Sequence, residues 1–170
     1  MSPARAGTRR AGGAVWALLC AVACGGPECP LPEPTSEALD SWLREGCYAT
    51  WAPTSAAVER SDMGPGGVRV YLSPALEASL TALADHPLGA TAVREMYAPD
   101  LRTRVGWSAS VKTADGWFWY ERFDRQPRAA VASTSAPGCT GCHGAGRDYV
   151  QSTPWAGATH AAGSRVQPTR

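Results

Sequence analysis

Across 170 residues the chain contains a single lysine, Lys112, and no stripe of positive charge. Residues 1–23 carry Arg5, Arg9 and Arg10 and no acid, so beyond them 13 basic side chains face 15 acidic ones, a balance of −2. Nucleic-acid binding needs clustered basic groups, and that class is excluded. Internal repeats are absent, which removes stacked-repeat architectures. Long apolar runs are equally scarce. The one uncharged stretch, "AGGAVWALLCAVAC" (11–24), is short for a bilayer span, and none follows it.

What is present at the start reads as an address. A basic opening, a short apolar run and small residues at its end form an export signal over 1–23. The run closes "AVACGG", so small residues precede Cys24, as in a bacterial lipoprotein signal, although the leucine usual three residues earlier is missing. The expectation is a periplasmic protein whose membrane contact is lipid on Cys24. The remaining chain divides into a Pro/Gly-rich linker (24–35), a folded domain (36–152) and a tail without periodicity (153–170).

Six cysteines then find places. Cys20 leaves with the signal, Cys24 takes the lipid, and Cys139 and Cys142 lie in "CTGCH". Cys29 and Cys47 remain. In an oxidising compartment they form either a disulfide or two separate thiols, and spacing alone does not settle the geometry.

Two helices are predicted. In "SEALDSWLREG", Ser36 is the candidate N-cap, Leu39, Trp42 and Leu43 share a face, and Gly46 supplies the stop. In "SPALEASLTALADHP", Ser73 caps, Pro74 fits the first turn, Leu76, Leu80 and Leu83 share a face, and Pro87 and Gly89 end the segment. Elsewhere the period is two. "GVRVYL" (67–72), "ATAVREMY" (90–97), "VGWSASVK" (105–112) and "WFWYERF" (117–123) read as strands. "TADG" joins the last two, with Asp115 and Gly116 expected at positive φ. Trp117, Trp119, Glu121 and Phe123 share one face of their strand, Phe118 and Tyr120 the other. Aromatics on both faces predict a sheet covered on both sides, one cover being protein and the other a flat apolar cofactor.

"PGCTGCHGAGRDYV" reads as a glycine-rich loop with a helical turn after His143. Two residues between the sulfurs let Cys139 and Cys142 reach both vinyl groups of one porphyrin, and His143 then lies under the iron. Zinc would want four ligands, yet neither a second cysteine pair nor a spaced histidine pair follows, and His86 and His160 read as lone surface residues. A redox dithiol needs a preceding strand and a helix N-terminus, where this chain has "TSAPG" and glycines. One covalent haem c is the expected cofactor.

With these residues placed, the chain resembles the cytochrome P-460 family, which includes the cytochromes c′-beta. The likeness covers about residues 36–152 and rests on "SWLREG", "VRVYLSP", "GATAVREMY", "WSASVK", "GWFWYERF" and "CTGCHGAGRDYV" in that order. It implies an α+β fold: a largely antiparallel β-sheet with flanking helices and a C-terminal haem-binding loop, usually as a homodimer. Members that oxidise hydroxylamine cross-link a strand lysine to the haem edge and place a carboxylate over the iron. The matching positions here are Arg94 and Ser108. A guanidinium stays protonated and is a poor nucleophile, and a serine is no equivalent general base. Lys112 matches a different position. The resemblance therefore implies the binding branch: an open iron site taking nitric oxide or carbon monoxide, with Arg94 near a propionate or the ligand, and a redox partner protein. Met96 shares the face of Ala92 and Arg94, either as a sixth iron ligand, giving a six-coordinate electron carrier, or as core. Trp107, Trp117, Trp119, Phe118 and Tyr120 are candidate caps on the haem, or ordinary core. The enzyme alternative is oxidation of hydroxylamine or a related nitrogen species.

Overall fold

The computed structural model describes residues 29–61 and 66–151. The expected export signal, Cys24 as the expected lipidation site, the tail and His160 lie outside the described residues. Among the described residues the fold is α+β, built on seven antiparallel strands and three α-helices. Helix α1 (Ser36–Glu45) leads through a 3₁₀ turn (Cys47–Thr50) to strands β1 (Ala52–Pro53), β2 (Glu59–Arg60) and β3 (Gly67–Leu72). Helix α2 (Pro74–Thr81) follows, then β4 (Thr91–Tyr97), β5 (Arg104–Thr113), β6 (Gly116–Phe123), β7 (Val131–Ser133) and helix α3 (Pro137–His143). The order in the sheet is β1-β3-β4-β5-β6-β7, and β2 shares the outer edge of β3 with β1. Among the described residues no helix is long and apolar enough to cross a membrane.

The N-cap of α1 is Thr35 rather than Ser36: its hydroxyl accepts from Ala38 N at 3.3 Å. Both residues can cap, and chain direction decides. Gly46 ends the helix at φ 73°, where a side chain would be strained. In α2 the Ser73 hydroxyl caps Leu76 N, and Pro74 opens the helix. That helix stops well before Pro87. Leu83 lies beyond it, at φ 52° and 78% exposed, so it does not extend the Leu76–Leu80 face.

Alternation along the strands produces two cores. On one face α1 buries Leu39, Trp42 and Leu43 against Tyr48, Val93, Trp107 and Tyr120. Each such side chain stabilises the fold by about 1.5–3 kcal/mol when fully buried. A disulfide from Cys29 to Cys47 ties the chain's approach to this face, and Leu31 packs on the same cluster. On the other face Leu72, Leu76, Trp117 and Trp119 pack with Ala136 and Val150, the residues that flank α3. At the β5–β6 turn only Gly116 has positive φ, at 112°; Asp115 does not. His86 is not a surface residue. It is 5% exposed, its Nδ1 lies 2.8 Å from the Ser79 hydroxyl, and its ring meets Trp117 edge-on.

Candidate functional site

The expected loop around CTGCH is a short helix, α3, opened by Pro137. Helical spacing puts side chains three apart on one face. Cys139 and Cys142 are therefore neighbours, both unpaired, and both line a cavity of about 210 Å³ between α3 and the sheet. His143 closes the helix and lines the same cavity, its ring 4.8 Å from that of Trp119.

The opposite wall comes from one row across three strands. Arg94 pairs with Ser108, and Ser108 pairs with Glu121, all on the cavity side. Arg94 and Ser108, the positions singled out by the resemblance, thus meet Cys139, Cys142 and His143 in one cavity. Glu121 is an addition that the sequence reading placed only among the aromatics of its strand. The hairpin held the signal. Counting back five residues on each strand from the Thr113–Gly116 pair gives Ser108 opposite Glu121. Val70, Ala92 and Trp119 complete an apolar rim.

Met96 lies elsewhere. It is 1% exposed, is not among the residues lining this cavity, and its Sδ accepts from Arg94 Nη2 at 3.7 Å. A Cβ on Gly106, its cross-strand partner, would crowd Met96 Cε and overlap the Arg122 carbonyl, so a glycine is required there. Trp107 is packed in the α1-side core, away from the cavity-side cluster.

The segment after the motif folds back on it. Residues 147–150 form a tight turn closed by Val150 N to Arg147 O at 2.9 Å, with Asp148 at φ 44° and Tyr149 at φ 64°. Two non-glycine residues in the left-handed region cost of order 1–3 kcal/mol each. The turn delivers the Tyr149 carbonyl to His143 Nδ1 at 3.0 Å. A carbonyl only accepts, so the contact selects the tautomer of the neutral imidazole with its proton on Nδ1 and its lone pair on Nε2. The Gln151 amide also donates to the Cys142 carbonyl, at 2.7 Å.

A strand, β7, and a helix start do precede Cys139, contrary to the loop expected from the sequence, so that ground against a redox dithiol falls and the local charges are what speak against it. Burial pushes the Cys139 thiol up, and the Glu121 carboxylate adds to that against the opposing pull of Arg94. An attacking thiol in a dithiol exchanger is shifted the other way. Among the described residues, moreover, no group of three or more His, Cys, Asp or Glu side chains is arranged to hold a metal ion alone. The residues present suit a haem c instead: two unpaired thiols at the required spacing, one imidazole with its tautomer set, and an apolar-rimmed cavity beside them. No known protein family's profile matches this chain, and no curated protein is similar to it in sequence.

Proposed function

We propose that this chain is an exported monohaem c-type cytochrome that binds a small ligand, nitric oxide or carbon monoxide, in the cavity between α3 and the sheet. The observation that carries the reading is the state of His143, whose Nδ1–H is engaged by a backbone carbonyl while Nε2 keeps its lone pair. Cys139 and Cys142 would hold the porphyrin through thioethers, and His143 would coordinate the metal. A haem so bound supplies an iron that exchanges one electron and takes a small ligand. The chain's own residues set what reaches it. Trp119, Val70 and Ala92 present apolar surface, which favours small uncharged gases. Arg94 offers a fixed positive charge for a propionate or a polar ligand. Membership of the cytochrome P-460 family, lipid on Cys24, a periplasmic location, a homodimeric state and a redox partner belong to this same reading.

A second reading, oxidation of hydroxylamine, gains from one observation. Ser108 is no base, but Glu121 lies beside it in register and lines the cavity. A carboxylate there can accept protons as electrons leave a bound nitrogen species. Its Oε2 is already engaged by Arg94 Nη2 at 3.9 Å, and Arg94 stands where the oxidising members carry a cross-linking lysine that a guanidinium does not replace, so the binding reading is preferred.

The experiment is a visible spectrum of the reduced protein with and without carbon monoxide, beside a hydroxylamine assay with an artificial electron acceptor. Haem that survives acid–acetone extraction, a carbon monoxide difference spectrum and negligible turnover support binding. Complete extraction of the haem refutes covalent attachment. Robust turnover, or a strongly red-shifted Soret band, shifts the assignment to the enzyme. Indifference to carbon monoxide indicates a six-coordinate carrier.

A further inference from the structure

Lys112, the only lysine of the chain, is committed to the segment that follows the haem motif. Its Nζ lies 3.0 and 2.9 Å from the two carboxylate oxygens of Asp148, and Trp117 Nε1 donates to the same carboxylate at 3.2 Å. Asp148 is thus gripped by β5 and β6 while its own backbone is left-handed. The next carbonyl, Tyr149 O, accepts from His143 Nδ1. The residue after that, Val150, is anchored in the apolar cluster at 7% exposure. The carbonyl is therefore fixed on one side by an ion pair and on the other by burial.

We infer that Lys112 and Asp148 form a positioning pair for the proximal histidine. The pair holds the 147–150 turn in a conformation the backbone resists, and the turn holds the imidazole of His143. The inference rests on the haem reading above. A carbonyl that accepts from Nδ1–H raises the donor strength of Nε2, and a stronger donor favours the oxidised metal. When the ion pair is removed, Asp148 and Tyr149 relax toward ordinary backbone angles and the carbonyl leaves Nδ1. The imidazole becomes a weaker donor, and the reduction potential rises.

Simple electrostatics makes a different prediction. Deleting a nearby positive charge lowers a haem potential, and deleting a nearby negative charge raises it. Positioning predicts that Lys112→Met and Asp148→Asn both raise it. The test is spectroelectrochemical titration of the parent protein, K112M, D148N and K112R, each checked for covalently retained haem and for cooperative unfolding. The expected result is a rise in both K112M and D148N corresponding to about a tenfold change in the ratio of reduced to oxidised protein, about 59 mV for one electron. K112R, which can still engage the carboxylate with two donors, should stay near the parent. Potentials that move in opposite directions in K112M and D148N, or that do not move, overturn the inference.

Haem retention separates this outcome from failure of the haem reading itself. If the parent holds no covalent haem, that reading falls, and nitrogen-15 shifts of His143 decide the pair. Nδ1 protonation in the parent that is lost in K112M and D148N and restored in K112R supports positioning. Identical shifts in all four proteins refute it.

Discussion

Arg94 and Glu121 stand on the same sheet face with Ser108 between them, Arg94 Nη2 3.9 Å from Glu121 Oε2 and both side chains about 30% exposed. At that exposure the pair contributes little to stability, roughly 0–1 kcal/mol. Its consequence lies in the charge it presents to a ligand. Arg94→Leu leaves a carboxylate alone at the cavity wall, and Glu121→Gln leaves a guanidinium alone. Cyanide binding to the oxidised protein should weaken about tenfold in the first and strengthen in the second, a tenfold step being about 1.4 kcal/mol. Carbon monoxide carries no charge and should change by less than about threefold in either. Equal effects on the two ligands would mean that the row does not face the bound ligand.

Much of this arrangement was legible in the sequence. The four long strands follow from period-two alternation, and the structure agrees with each to within one residue at either end. Leu39, Trp42 and Leu43 on α1 were readable for the same reason. The strands Ala52–Pro53, Glu59–Arg60 and Val131–Ser133 were not, because two or three residues carry no period. The helical state of CTGCH was hidden by Gly138, Gly141 and Gly144, whose low intrinsic propensity is overridden where α3 packs through Cys139 and the preceding Ala136 onto the sheet. His86 was misread because a lone histidine gives no local cue to its burial. That burial depends on Ser79, seven residues away, and on Trp117 from a distant strand.

The link between Cys29 and Cys47 closes a loop with a sequence separation of 18. On the chain-entropy account this restricts the unfolded chain and stabilises the fold by roughly 3 kcal/mol. Replacing both cysteines by serine should lower the unfolding free energy measured in guanidinium by about that amount, with the visible spectrum of the proposed haem unchanged. A part of the loss will come from Cys47 itself, which is 5% exposed within the α1-side core. Peptide mapping without reduction should recover the two residues as one cross-linked species.

Glu95 sits on the face opposite the cavity, 8% exposed, and accepts from Tyr48 at 2.6 Å, Tyr97 at 2.7 Å and Tyr71 at 3.4 Å. Trp107 Nε1 in turn donates to the Tyr48 hydroxyl at 2.8 Å. Burial, and then the hydrogen bond to Glu95, pushes the Tyr48 phenol well above its ordinary value, so it stays a donor. Tyr48→Phe removes one bond to a charged acceptor and strands the indole N–H. The expected cost is about 2–3 kcal/mol, measured by denaturant unfolding. A loss under about 0.5 kcal/mol would mean that the network is replaced by water.

Acid should weaken the fold in part through two aspartates that join distant elements. At Asp40, burial works against ionisation, but hydrogen bonds from Arg122, Arg44 and Tyr120 outweigh it and hold the carboxyl below its usual range. At Asp148, burial again opposes, and Lys112 and Trp117 outweigh it. In both cases the unfolded chain, with its aspartates near about 3.9, binds protons more readily than the folded one. Stability from these groups is therefore fully present above that value and is lost as pH falls through the lower folded values. The two aspartates secure different parts of the molecule: Asp40 joins α1 to β6 through Tyr120 and Arg122, and Asp148 secures the turn behind His143. Asp40→Asn should flatten the acid limb of the unfolding midpoint against pH and leave the spectrum of the reduced protein unchanged. Asp148→Asn should flatten the same limb and alter that spectrum. If both variants lose stability by the same amount at pH 3 and at pH 7, titration of these carboxyls is not what acid exploits.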